Sequence, residues 1–253
     1  MTIEKTYPKT NIPRLLGAAF TFVFLASLSG GLLHAQALGV GAFAGPADIS
    51  AVLLNVANNV SLLRVSILIE LANAAAIIAL ATLLYLALQQ QNRVLALLAL
   101  GWWLAEGLMM VISKMGTYAL IPLSRQFVAA GAPEAGAPEA AHFQTLGVFL
   151  YEIVDETGYD LHVGLFCIGA LLWYYLLYRS GLVPRWLAGW GLAAIALMTI
   201  PSLIMLYDPS QTFSIAFYVP YIPFELFIGI WLMVKGFNSA APANFKPALV
   251  NAN

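Results

Sequence analysis

An all-α bundle of about six transmembrane helices is the fold this sequence predicts. Three observations carry that prediction: 61% of the 253 residues are hydrophobic, only 9% are charged, and the apolar residues gather into long runs separated by short polar linkers. A soluble domain carries roughly a quarter charged residues, so this chain has too little polar surface to face water all round. A helix needs about 20 mostly apolar residues to cross a bilayer. Six segments meet that requirement, near residues 14–34, 60–88, 94–122, 160–179, 185–206 and 214–236. They form one transmembrane domain over residues 1–253, with a loop at 123–141 and a tail at 238–253.

The first run follows Lys5, Lys9 and Arg14, the charge pattern of a signal peptide. Its length and the spans after it predict a retained helix instead. Gly39, Gly41, Gly45 and Pro46 then turn the chain. Pro46 and Asp48 suit a helix start, and the next residues mix Leu53, Leu54 and Val56 with Asn55, Asn58 and Asn59. That mixture is too polar to cross and predicts a short interfacial helix. The second and third spans, joined by residues 89–93, are long enough to tilt or to project from the bilayer. The unit GAPEA, repeated once over residues 131–140, has nothing to pack and predicts a flexible surface loop.

From His142 to Arg179 a continuous helix would run about 57 Å at ~1.5 Å per residue, nearly twice the hydrocarbon thickness. The outer part of this fourth helix therefore projects or is broken, with Thr157-Gly158 as the natural break. Gly181 and Pro184 end it, and Pro201, Pro220 and Pro223 predict kinks in the last two spans. Trp102, Trp103, Trp173, Tyr174, Tyr175, Tyr178, Trp186 and Trp190 fall mostly near span ends, where an interfacial belt accounts for them.

Basic residues in short loops set orientation. With the N-terminus inside, Lys5, Lys9, Arg14, Arg93, Arg179, Arg185, Lys235 and Lys246 share the cytoplasmic side, and only Arg125 falls in an outer loop. The expectation is a multi-pass protein of the inner membrane with both termini cytoplasmic. A net charge of −1 offers no basic excess for nucleic acid. Cys167 is the sole cysteine, which excludes an intramolecular disulfide, a thiolate zinc site and an iron–sulfur cluster. No phosphate-binding glycine loop or dinucleotide fingerprint occurs, so no nucleotide cofactor is expected. A haem would need paired histidines, and only His34 and His162 could supply them.

The run YLLYRSGLVPRWLAGWG at residues 175–191 and PFELFIGIWLMVKGFN near the C-terminus resemble the bacterial membrane family catalogued as domain of unknown function forty-three eighty-six. The Arg14-Leu15-Leu16-Gly17 and Leu63-Arg64 span starts are similar to it as well. The resemblance covers about residues 12 to 238. It implies a six-helix architecture and no agreed activity, so it carries no catalytic residue over to this chain. The proline-rich loop at 131–140 is not part of that pattern.

Ionisable side chains near a bilayer centre cost roughly 2.5–3.5 kcal/mol each on insertion scales, so each calls for a partner or a purpose. The candidates for ligand or ion binding are Arg64, Glu70, Glu106, Lys114, Glu152, Asp155, Glu156, Asp160 and Glu225. Glu70, Glu106 and Glu225 with Arg64 and Lys114 are expected to converge on one polar centre in the outer half of the bundle. The plainer alternative is paired ions that fix helix register.

If regular helix runs through YEIVDETGYDLH, residues 151–162, then Glu152, Asp155, Glu156 and Tyr159 share one face. Such a face is either a solvated acidic surface or a cation site. His162, Asp155 and His34 are the candidate ligands for a divalent metal, although no recognised zinc spacing is present.

The functional expectation is a membrane protein that binds a small molecule, lipid or ion in an outward-facing polar centre, transporter-like or sensor-like. A membrane-embedded metal-dependent hydrolase acting on lipid is one alternative. A structural or assembly subunit of a membrane complex is another; the partners to expect are the lipid bilayer, a lipid or small-molecule ligand, and a membrane complex or further copies of the chain in a homo-oligomer.

Overall fold

In a bilayer every backbone N–H and C=O must be satisfied within the chain, and an apolar run does this by coiling into a helix. The computed structural model describes residues 11–41, 48–131, 140–208, 211 and 215–238. The repeat loop at 132–139 and the tail beyond residue 238 lie outside the described residues, as do Lys5, Lys9, Pro46 and Lys246. Among the described residues the ordered elements are all helical. They are α1 (Ile12–Leu38), α2 (Ile49–Asn58), α3 (Val60–Leu88), α4 (Arg93–Ala129), α5 (Ala140–Val148), a π-helical segment (Phe149–Glu156), α6 (Thr157–Ser180), α7 (Arg185–Tyr207), a 3₁₀ turn (Ile215–Phe217) and α8 (Tyr221–Val234).

Local chemistry explains the boundaries. Pro13 sits in the first turn of α1, where its missing N–H costs nothing. The Asp48 carboxylate accepts from Ser50 N at 3.1 Å to cap α2, and Asn92 accepts from Leu95 N at 3.1 Å to cap α4. Gly39 and Gly181 end α1 and α6 at φ of 70° and 66°, backbone that an L side chain rarely adopts. Pro220 and Pro223 differ from their expected role. Pro220 is the N-cap of α8 and Pro223 lies in its first turn, so they start this helix and do not bend it.

Among the described residues five helices are long and apolar enough to cross a membrane: Ile12–Leu38, Val60–Leu88, Arg93–Ala129, Ala140–Ser180 taken through its π-helical segment, and Arg185–Tyr207. Helix α8 has 14 residues, about 21 Å at ~1.5 Å per residue, shorter than the apolar stretch at 214–236 promised. The fourth crossing has no break at Thr157-Gly158. It continues through a wide turn that ends there, with the Thr157 N–H bonded to Glu152 O, five residues back.

Helix α1 packs between α3 and α8, α4 between α3 and α6, and α7 between α6 and α8. Six helices therefore close a ring in chain order. Helices α2 and α5 and the π segment pack over one end of it, mainly against α4. The outer surface is apolar: Leu25, Leu32, Leu68, Leu108, Ile112, Met115 and Ile200 are all exposed. An exterior of this kind suits hydrocarbon and not water, and the chain is a multi-pass membrane protein.

Gly17 and Gly229 bring α1 and α8 into backbone contact. A Cβ on Gly17 would lie 2.5 Å from Gly229 O, and one on Gly229 would lie 2.5 Å from Thr21 Oγ1. Small residues at such crossings allow close van der Waals packing where lipid supplies no hydrophobic drive. Gly31, one turn from the polar residues of the same helix, faces open space. Gly17→Val is expected to cost about 1–3 kcal/mol, seen as a drop of several degrees in the thermal midpoint of the detergent-purified protein, while Gly31→Val leaves it unchanged.

Candidate functional site

The interior is divided along its length. One apolar cluster holds Leu16 and Phe20 of α1, Leu80 and Leu84 of α3, Trp103 of α4, Trp173 and Leu177 of α6, and Phe224 of α8. A second cluster, at the end covered by α2, holds Leu38, Val52, Leu53, Leu63, Leu120, Phe127 and Phe143. Between them each of four chain segments contributes polar side chains. These are Ser27 and His34 from α1, Ser66, Glu70 and Asn73 from α3, Ser113, Lys114 and Thr117 from α4, and Asp155 with His162 from the π segment and α6. Of these, Ser66, Glu70, Asn73, Ser113, Lys114, Thr117, Asp155 and His162 are buried.

Asp155 is the hub of this layer and is 1% exposed. Its Oδ1 accepts from Lys114 Nζ at 3.0 Å and from Ser113 Oγ at 3.0 Å. Its Oδ2 lies 3.0 Å from His34 Nε2. Oδ2 nevertheless accepts no hydrogen bond of good geometry, and His34 Nδ1 is likewise without a partner. Glu70 is within electrostatic reach of both Lys114 and Asp155, and so is Glu156. The Lys114 ammonium also stands over the Tyr159 ring, 6.0 Å from its centroid.

Two local features bring these groups together. The segment Phe149–Glu156 winds as a π-helix, with Tyr151 and Asp155 buried and Glu152 and Glu156 exposed. Glycines then let the helices close. A Cβ on Gly116 would lie 2.7 Å from Leu150 O, and one on Gly158 would lie 3.0 Å from Ser113 Cβ. On α1, Gly30 leaves the space that the Glu70 carboxylate occupies.

Several expected groupings are rearranged. Glu152, Asp155, Glu156 and Tyr159 do not form one face, because the wide turn buries Asp155 and leaves the other three exposed. Arg64 is exposed and is not among the charges acting on Glu70. It lines a surface cleft with Tyr118, Pro122, Arg125 and Gln126, so it does not neutralise Glu70. His162 Nδ1 meets Tyr159 O at 2.8 Å within its own helix and stays outside the cluster around Asp155. Asp160 is half-buried on the turn before it, and His142 is exposed on α5.

The single centre expected for Glu70, Glu106 and Glu225 is in fact two. Glu106 and Glu225 lie within electrostatic reach of each other, close to Tyr174, Tyr221 and Cys167. The Tyr174 and Tyr221 hydroxyls bond to each other at 2.7 Å, and Glu106 Oε2 has no partner. Neither carboxylate belongs to an ion pair among the described residues. The separation follows from helix rise: Glu106 and Lys114 are eight residues apart on α4, about 12 Å at ~1.5 Å per residue.

A family model described as Domain of unknown function (DUF4386) matches residues 15–236. The chain belongs to this family. Neither the curated proteins nor the solved structures give a match. The DUF4386 match runs from the first turn of α1 through the end of α8, and therefore covers every residue of the polar layer.

Removing one partner of a buried ion pair leaves the other charge uncompensated and costs about 3–5 kcal/mol. Asp155→Asn and Lys114→Met are each expected to lower the thermal midpoint strongly. The double variant should be less destabilised than the sum of the two, a coupling of at least about 1 kcal/mol in a double-mutant cycle. Additive losses would mean that the two side chains do not depend on each other.

Proposed function

We propose that this protein binds a small cationic solute or ion in the buried polar layer between its two apolar clusters, as a transporter-like or sensor-like bundle. The observation that carries this reading is charge imbalance. Three carboxylates, Glu70, Asp155 and Glu156, share the electrostatic reach of one lysine, Lys114. A pair that only fixed helix register would be complete with Lys114 and Asp155. Glu70, 4% exposed, is surplus to it and needs a proton or a cation to be tolerated there.

The layer also draws on four chain segments, so a bound cation would tie α1, α3, α4 and α6 together. That is the arrangement by which occupancy biases a helical bundle between two packings. Helix α2 places Val52, Leu53 and Val56 over the layer at one end, and Glu156 and Tyr159 reach the exterior beside it. Arg14, Arg93, Arg179, Arg185 and Lys235 belong to the opposite end, where short connections join α3 to α4 and α6 to α7. By the positive-inside rule we read that end as cytoplasmic and the layer as lying toward the outer leaflet of an inner membrane.

The test is a thermal-shift panel on purified protein with sodium, choline, spermidine, magnesium and manganese chlorides at matched ionic strength. At a hundredfold excess over Kd, a cation that binds is expected to raise the midpoint by roughly 5–10 °C. Glu70→Gln should fold and lose most of that shift. Equal shifts in both proteins, or no shift with any cation, would contradict the reading.

A further inference from the structure

We propose that His34, Asp155 and Glu156 form a binding site for a first-row divalent metal ion; this deepens the reading of the polar layer as a cation site and rests on it. One nitrogen or oxygen from each residue lies within 4.8 Å of the others. The three come from two elements, α1 and the π segment, so the site depends on the packed bundle and not on local sequence.

The geometry at Asp155 suits a metal ion. Its two oxygens are treated differently: Oδ1 is held by Lys114 Nζ and Ser113 Oγ of α4, while Oδ2 is turned to His34 of α1. Tying down one oxygen orients the carboxylate and presents the other, the part that outer-sphere partners play around bound metals. Oδ2 and His34 Nε2 stand 3.0 Å apart. Two donors on one ion at about 2.1 Å each, at right angles, are about 3 Å apart. In either neutral tautomer His34 keeps one nitrogen lone pair, and its Nδ1 is committed to nothing else.

The charges agree with this placement. Among the described residues Lys114 is the one lysine acting on Glu70, Asp155 and Glu156, and a divalent ion would offset the excess of carboxylates. One imidazole with two carboxylates suits manganese, iron or zinc better than calcium or magnesium, which favour oxygen donors alone. Glu156 is exposed, which gives an ion a route to the buried carboxylate and leaves coordination positions for water or a solute.

The experiment is Mn2+ titration of the full chain, purified without a histidine tag and stripped with chelator, following loss of the free-ion EPR signal. The expected result is one Mn2+ per chain, with affinity at least tenfold weaker in His34→Gln and in Glu156→Gln. Glu156 is at the surface, so its variant folds and decides the matter even if the His34 variant does not. His34→Cys, which keeps a metal ligand, should retain Cd2+ binding that His34→Gln lacks. Unchanged Mn2+ affinity in Glu156→Gln overturns the proposal. No Mn2+ binding alongside a Glu70-dependent thermal shift with sodium, choline or spermidine overturns the metal site and leaves the broader reading standing; no response to any cation removes both.

Discussion

The interaction on which this structure depends is the grip on the Asp155 carboxylate. Three side chains from two other helices converge on it: Lys114 and Ser113 at one oxygen and His34 beside the other. Each is awkward alone in an apolar bundle, and together they fix how α1, α4 and the π segment meet. Above and below, the two apolar clusters pack as any helical interior does, with small residues where helices cross. The polar layer between them gives those surfaces a defined register. A bundle made only of leucine and alanine faces could slide by a turn at little cost; one with a lysine opposite an aspartate cannot.

The architecture was legible in the sequence because hydropathy and backbone satisfaction leave an apolar run of 20 or more residues few options. Helix α3 occupies Val60–Leu88, the range its hydropathy outlines, and the capping residues Asp48 and Asn92 and the left-handed glycines 39 and 181 punctuate the chain where turn chemistry suggests. The expense of Glu70, Lys114 and Asp155 was legible for the same reason. Their pairing was not. Regular helical spacing places Asp155 beside Glu152, three residues back, and the wide turn over Phe149–Glu156 moves the two apart. A π register has no compositional signature. The glycines that permit the approach of α4 to this turn, Gly116 and Gly158, carry a signal only once one knows which helix lies opposite.

The same limit explains why Glu106 and Glu225 were grouped with Glu70. Sequence gives depth along a helix to within a turn or so, and all three fall away from the ends of their spans. What divides them is the rise along α4, which sets Glu106 level with Glu225 and leaves Glu70 within reach of Lys114, about two turns away. The result is a bundle with a charged layer near one end and a carboxylate pair beside a tyrosine pair nearer its middle. Exposure of Glu156 beside the covered layer then makes the π segment both the element that builds the centre and its contact with the exterior.

The measurement that bears most directly on this account is a density map of the purified protein at side-chain resolution, read at residues 149–156. The account predicts i to i+5 bonding through this segment, with the Asp155 carboxylate between Lys114 and His34. A regular α-helix there, carrying Asp155 on the outer face with Glu152 and Glu156, would contradict it.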